Sequence, residues 1–302
     1  MAKIGFLDGG TGQEIYKRAG KPDARLWSVE VLLKQPEIVT QVHADFIAAG
    51  CRTLTLNTYT ATPTRLAGAG IAELGNQVFT QAKQAMNEAI ALGNSDVERA
   101  GCLPPLHGSY LPNPPRSFDS MLPEFQQLCE LQGDLDLLLI ETMSNSTEAR
   151  AACAAATETG LPYALGFRVE ANGKLRSGES LEHAIEVCLP YSPNGIWLNC
   201  SAPEDISVAL PHLTNFNLPF GAYANGFISV EALAAGNSVA LLGERSDITP
   251  QVYAELAQSW VNEGARLLGG CCEVTAEHMR VTAERLIAAN KQLVKVSEII
   301  KS

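Results

Sequence analysis

A chain of 302 residues, 46% hydrophobic and 18% charged, can bury a substantial core, either as two small domains or as one large α/β unit. Its formal net charge of −11 argues against nucleic acid and anionic membrane surfaces as partners. No apolar run reaches the roughly 18 residues of a membrane span, so none is expected.

The N-terminus, MAKIGFLDGG, carries one lysine and a short apolar run that passes straight into an acidic residue and glycines. That is the pattern of a first strand over 3–9, not of a signal peptide. A helical pattern runs from Pro36 to Gly50, residues whose types punctuate helix starts and stops. A strand over 52–58, a long alanine-rich helix over 64–92, and strands over 99–104 and 135–142 follow. STEARAACAAATETG, 146–160, opens on a Ser/Thr cap and stops at a glycine. Strands are expected over 163–169, 195–201 and 220–226, then an irregular stretch over about 226–248. A helix over 249–263, a strand over 265–271 and a helix over 274–290 complete the pattern. Apolar positions at helical spacing from 276 to 300 form a stripe suited to closing a barrel, or to serving a dimer.

Most of these strands are nearly continuous apolar runs, as expected of a parallel sheet buried on both faces. Eight of them separated by helices predict an α/β fold, a single (β/α)8 TIM barrel occupying 1–302 as one domain. An open doubly wound sheet is the alternative, but no GxGxxG turn follows the first strand.

In such barrels function gathers at the C-terminal ends of the strands. Read in order, those ends carry Asp8, Asn57, the Cys102 region, Glu141, Arg168, Cys200, Asn225, and Cys271 with Cys272. Caps and turns also place Asp and Asn after strands, whereas a cap does not account for the cysteines. Eight cysteines in a chain this long are too few for a disulfide scaffold; reduced thiols and a cytoplasmic, soluble protein are expected. Adjacent Cys271 and Cys272 would strain a mutual disulfide. With Cys200 they offer three thiolates, a soft set suited to Zn2+ that leaves a fourth position open. Three core cysteines are the competing reading. Cys51, Cys129, Cys153 and Cys188 are read as packing residues, while Cys102, and His107 in the next loop, could face the mouth.

GIWLNCS followed by GGCC, with FLDGGTGQE at the start, resembles the homocysteine S-methyltransferase family. LWS (26–28), NTYTAT (57–62), LLLIETM (137–143) and AYANGF (222–227) extend the likeness in the right order along nearly the whole chain. The resemblance implies a zinc-bearing barrel that methylates the thiol of homocysteine. Cys200, Cys271 and Cys272 would bind zinc, and Glu141 would receive the amino group of homocysteine. The turn at Asp8 and Gly9 would engage its amino-acid end, Trp27 and Asn57 would lie on the substrate side, and Asn225 would support the metal loop. Thr60 and Thr142 stand where betaine-dependent relatives carry tyrosines, which favours S-methylmethionine or S-adenosylmethionine over a quaternary ammonium. Glu273-Val274 and GCLPP (101–105) depart from the family pattern and bear on the donor side.

A betaine-type or related thiol or selenol methyltransferase remains an alternative, as does a zinc-buffering or redox-sensing protein built on the same thiolates. A Schiff-base aldolase would need a lysine after an apolar strand, and none is so placed. The partners expected are homocysteine and a small methyl donor, for a monomer or homodimer.

Overall fold

The computed structural model describes residues 1–22, 26–93, 96–113, 116–234 and 242–301. All eight predicted apolar runs form strands: β1 (Ala2–Phe6), β2 (Thr53–Thr55), β3 (Glu98–Leu103), β4 (Leu137–Met143), β5 (Tyr163–Phe167), β6 (Gly195–Asn199), β7 (Phe220–Tyr223) and β8 (Leu267–Leu268). Neighbours pair in parallel from β2 round to β8 and then β1. A parallel bridge between Leu7 and Thr53 joins β1 to β2. Backbone bonds from Asp8 N to Thr53 O (3.0 Å) and Arg52 N to Phe6 O (2.9 Å) flank that bridge and close the ring. The fold is the expected (β/α)8 barrel.

Alternation along the strands splits the core in two. Inward positions Leu7, Ala100, Leu137, Leu139, Ala164, Trp197, Tyr223 and Leu267 fill the barrel. Outward ones such as Phe6, Leu54, Leu138, Ile140, Leu165 and Leu198 pack with the surrounding helices. Trp197 meets Tyr223 edge-on at 4.9 Å, the arrangement the ring quadrupoles favour. Gly221 lets β7 and β8 approach there, since a Cβ would fall 1.8 Å from the Leu267 carbonyl oxygen.

Two expected helices are divided. The 64–92 pattern becomes Pro63–Gly68 and Gly75–Gly93, with Gly70 turning the chain between them at φ +75°. The 276–300 stripe is helical only over Ala276–Ala288. Asn290, at φ +62°, then turns the chain into a ninth strand, β9 (Lys291–Val294), parallel to β1, and a short helix, Ser297–Ile300. Lys295 and Val296 lie between them, and the β-branched run QLVKV carries a period of two that the helical reading passed over. Helices Thr11–Arg18, Ser28–Lys34, Phe118–Leu131, Leu181–Glu186 and Pro203–Ala209 supply further crossovers not marked by a strong pattern. Of the 226–248 stretch, residues 235–241 lie outside the described residues.

The C-terminal segment plugs the bottom of the barrel. Val294, Val296, Ile299 and Ile300 join the interior cluster. Val296 N donates to Thr53 Oγ1 (3.0 Å) and Ser297 N to Glu98 Oε1 (2.9 Å). Ile299→Ala is expected to cost about 2–5 kcal/mol in urea unfolding. Because the floor lies at the end opposite the strand C-termini, Michaelis constants should not move.

Candidate metal centre and cleft

At the C-terminal rim a cleft of about 570 Å³ opens. Asp8, Gly9, Trp27, Asn57, Glu141, Cys200, Cys271 and Cys272 all line it, as does Cys102. Asn225 sits just behind the metal-binding candidates, and Arg168 lies behind Tyr110 and outside the lining. The Sγ atoms of Cys200, Cys271 and Cys272 all lie within 4.8 Å of one another. All eight cysteines are free.

The strand expected to reach Cys271 ends at Leu268, and the cysteine pair lies in the turn that follows. This resolves the geometric difficulty of neighbouring side chains on a strand, which point to opposite faces. Two glycines permit the turn to pack tightly. A Cβ on Gly270 would lie 2.3 Å from Val274 Cγ1, and one on Gly10 would lie 2.5 Å from the Cys271 carbonyl oxygen. Backbone bonds then fix the loop from both sides: Gly10 N to Val274 O (2.8 Å), Cys271 N to Ala224 O (2.9 Å) and Gly226 N to Cys272 O (2.9 Å).

Cys200 leaves β6 at φ +50° and donates its N–H to Tyr223 O (3.1 Å). Asn225 Nδ2 donates to the Cys200 carbonyl (2.8 Å) while its Oδ1 accepts from Phe227 N (3.1 Å), so it ties the Cys200 loop to the β7 end. The Tyr110 hydroxyl lies 3.1 Å from Cys200 Sγ. Glu273, the departure from the family pattern, turns inward. It accepts from Gln13 Nε2 (2.7 Å) and pairs with Lys17, anchoring the cysteine turn to the helix after β1.

The three thiols share protons. Hydrogen bonds from Cys271, Cys272 and Tyr110 pull Cys200 well below the usual thiol range, whereas the same contact with Cys200, together with burial, pushes Cys271 and Cys272 up. One sulfur ionises readily; holding all three as thiolates near neutral pH requires a cation among them. A soft divalent ion suits three sulfurs this close together in a site this poor in oxygen ligands, and Cys200, Cys271 and Cys272 would hold it.

Glu141 occupies the wall near this cluster. Cys102 donates its thiol proton to Glu141 Oε2 (2.8 Å) and Tyr223 donates to Oε1 (3.0 Å). Burial raises its carboxyl to about 7, against the lowering effect of those two bonds. Burial likewise lifts Asp8 to about 7, although Thr55 N (2.9 Å), Thr55 Oγ1 (2.9 Å) and Thr11 Oγ1 (3.0 Å) donate to it. Asp8 thus fastens the β1 turn to β2. Asn57 accepts from Ser28 Oγ (2.8 Å), so its carbonyl end braces the segment carrying Trp27.

Sequence reading passed over Asn199, Tyr110, Tyr59 and Arg65. Asn199 Oδ1 accepts from Thr142 N (2.8 Å) and its Nδ2 donates to Thr142 Oγ1 (2.9 Å). That clamp fixes the irregularity in β4 between Ile140 and Met143, which sets Glu141 and Thr142. The inward phase of β6, counted from Trp197, would have revealed Asn199. Tyr59 and Tyr110 lie in loops beyond β2 and β3, where no periodicity points a side chain, and Arg65 sits in the first turn of the helix Pro63–Gly68, whose pattern alone does not aim it at the rim. Tyr59 and Tyr110 do put aromatic faces in the cleft despite Thr60 and Thr142, but each ring already carries a guanidinium: Arg65 at 5.5 Å over Tyr59 and Arg168 at 5.2 Å over Tyr110.

Backbone strain gathers here too. Of eight described non-glycine residues at positive φ, Trp27, Tyr110, Thr142, Cys200 and Glu273 line or abut the cleft. At about 1–3 kcal/mol each, such conformations persist where the surroundings enforce them, and they concentrate at working sites.

The profile of the family described as Homocysteine S-methyltransferase matches residues 6–286. The chain is 28% identical to the Homocysteine S-methyltransferase of Escherichia coli strain K12 over 296 residues, covering 89% of this chain and 91% of that one. It is 24% identical to the Selenocysteine methyltransferase of Astragalus bisulcatus, covering 92% and 91%. Among solved structures it resembles the metallated form of the homocysteine methyltransferase MmuM from Escherichia coli, with TM-score 0.78, 25% identity, and 93% and 96% of the two chains covered.

Proposed function

The chain belongs to the homocysteine S-methyltransferase family and is a methyltransferase acting on homocysteine; from that premise we propose that a small sulfonium, S-methylmethionine or S-adenosylmethionine, supplies the methyl group and that the metal is zinc. The observation that carries this reading is the shared cleft: three sulfurs within 4.8 Å of one another, with the buried carboxylate of Glu141 in the same wall.

A thiol of pKa about 8.5 is only a few per cent ionised at pH 7. Zinc held by Cys200, Cys271 and Cys272 would supply the charge that keeps an incoming thiol deprotonated. The chain's own residues do the rest. Glu141 receives the acceptor's ammonium group, exchanging the protons of Cys102 and Tyr223 for a full charge. The Asp8–Gly9 turn engages the acceptor's amino-acid end, and Trp27 covers the donor side. Holding sulfur, methyl and leaving group in line can supply about 7–11 kcal/mol of the barrier. A sulfonium loses its charge as the methyl departs, so the mostly apolar lining favours the transition state over the bound donor.

The second face of the tyrosines is too little for a betaine site, because a guanidinium already stacks on each ring. The test is a donor panel, S-methylmethionine, S-adenosylmethionine and betaine, with homocysteine as acceptor, before and after chelation and with zinc restored. Turnover with a sulfonium, lost on chelation and regained with zinc, is expected. Turnover with betaine alone, or turnover indifferent to chelation, overturns the donor or the metal assignment respectively.

A further inference from the structure

Arg65 is the one lysine or arginine lining the cleft among the described residues. It lies on the helix Pro63–Gly68 that follows β2, with its guanidinium over the Tyr59 ring and its Nη2 donating to the Pro105 carbonyl (2.8 Å). Its Nε is buried and has no hydrogen-bond partner among the described residues. No carboxylate of the described residues pairs with it within 4.0 Å. The nearby acids are engaged: Glu148 accepts from Leu106 N (2.8 Å), while Glu124 accepts from Thr64 Oγ1 (2.8 Å) and pairs with Arg116. Desolvation weakens the guanidinium's hold on its charge. A half-buried, partly satisfied cation facing a cleft whose other charged groups are acidic calls for an anion from outside.

The distribution of charge says which anion. The cysteine cluster, Asp8 and Glu141 make the inner cleft negative, which draws a sulfonium and an ammonium. Arg65 makes the wall near Tyr59 and Ser109, joined by a 2.8 Å hydroxyl contact, positive. A sulfonium amino acid has both signs, with its carboxylate several bonds from the reacting sulfur. We propose that Arg65 binds the α-carboxylate of the methyl donor and so selects sulfonium amino acids over sulfonium compounds that lack a carboxylate. This rests on the sulfonium reading above.

The test compares S-methylmethionine with its carboxamide, using homocysteine as acceptor, in the wild type, Arg65→Gln and Arg65→Lys. A charge-assisted contact of this kind is worth about ten- to a hundredfold. The wild type should therefore prefer the acid by that factor in kcat/KM. Arg65→Gln should lose the preference through a raised KM for the acid, with the amide and the homocysteine KM unchanged, and Arg65→Lys should keep part of it. Equal rates for acid and amide in the wild type, an equal loss for both in Arg65→Gln, or a rise confined to the homocysteine KM would each overturn the assignment. Melting temperatures of the two variants separate a folding defect from a lost contact. A wild type that turns over neither compound, nor S-adenosylmethionine, fails the donor reading itself, and binding of acid and amide measured by calorimetry then decides Arg65 independently.

Discussion

Replacing Cys200 by alanine is expected to strip the metal and reduce kcat/KM at least about a thousandfold, while the barrel stays folded. The loss follows from removing one of three donors that reach a common point. Two sulfurs hold a divalent ion far less well than three, and loss of the charge that stabilises a thiolate is worth several kcal/mol, with about 1.4 kcal/mol per factor of ten. Folding should survive because Cys200 lies beyond the end of β6 and its backbone contacts, to Tyr223 O and from Asn225 Nδ2, do not involve the side chain. Cys102→Ala is the control. That thiol lines the same cleft but donates to Glu141, so the variant should keep its metal. Metal content per chain after dialysis, read by elemental analysis, decides the matter: a Cys200→Ala protein that retains one ion per chain would show that the cluster is not the binding site.

Glu141→Ala is expected to raise the homocysteine KM by about ten- to a hundredfold with metal content intact. A charged hydrogen bond contributes about 1.5–3 kcal/mol, and the substrate ammonium would lose its only buried counter-charge on that wall. Zinc lost along with Glu141 would instead make this residue part of the metal site. The pH dependence gives a second measure. In the substrate-free protein, burial holds the Glu141 carboxyl at about 7, so near neutrality about half the molecules carry a proton that must leave before an ammonium can pair. The homocysteine KM should therefore fall as pH rises from 6 to 8 and level off above, and Glu141→Gln should lack that component. Stability runs the other way. The folded protein holds the proton more tightly than the unfolded chain, so the contribution is full below about pH 4.5 and is lost as pH rises through 7, on the order of 3 kcal/mol in the limit. Without substrate, Glu141→Gln should accordingly be more stable than the wild type at pH 8.

Several site residues were legible because the chemistry of their types is narrow. Cysteines after two apolar runs, two of them adjacent and preceded by two glycines, have few structural explanations, and the likeness of GIWLNCS and GGCC to one family supplies an activity. Glu141 was legible by position, as an acid directly after the apolar run LLLI (137–140). Arg168 was read by the same rule, yet its guanidinium turns away to Glu170 and the Tyr110 ring, since a strand end specifies where a side chain starts and not where a long one finishes.

The sequence by itself determined the eight strands, their parallel pairing and which cysteines are candidate sulfur donors, because apolar periodicity and residue chemistry are local properties. Only the tertiary structure decided that Cys271 and Cys272 face the same way, that Asn199 clamps Thr142, that the last residues plug the barrel floor, and that Arg65 enters the cleft without a carboxylate partner among the described residues. Each of those depends on a turn or loop whose direction is set by contacts far along the chain: Glu273 to Lys17, Gly10 to Val274, Val296 to Thr53. Periodicity carries no information about such contacts, since what fixes them is the closure of the ring that brings both ends of the chain to one rim and one floor.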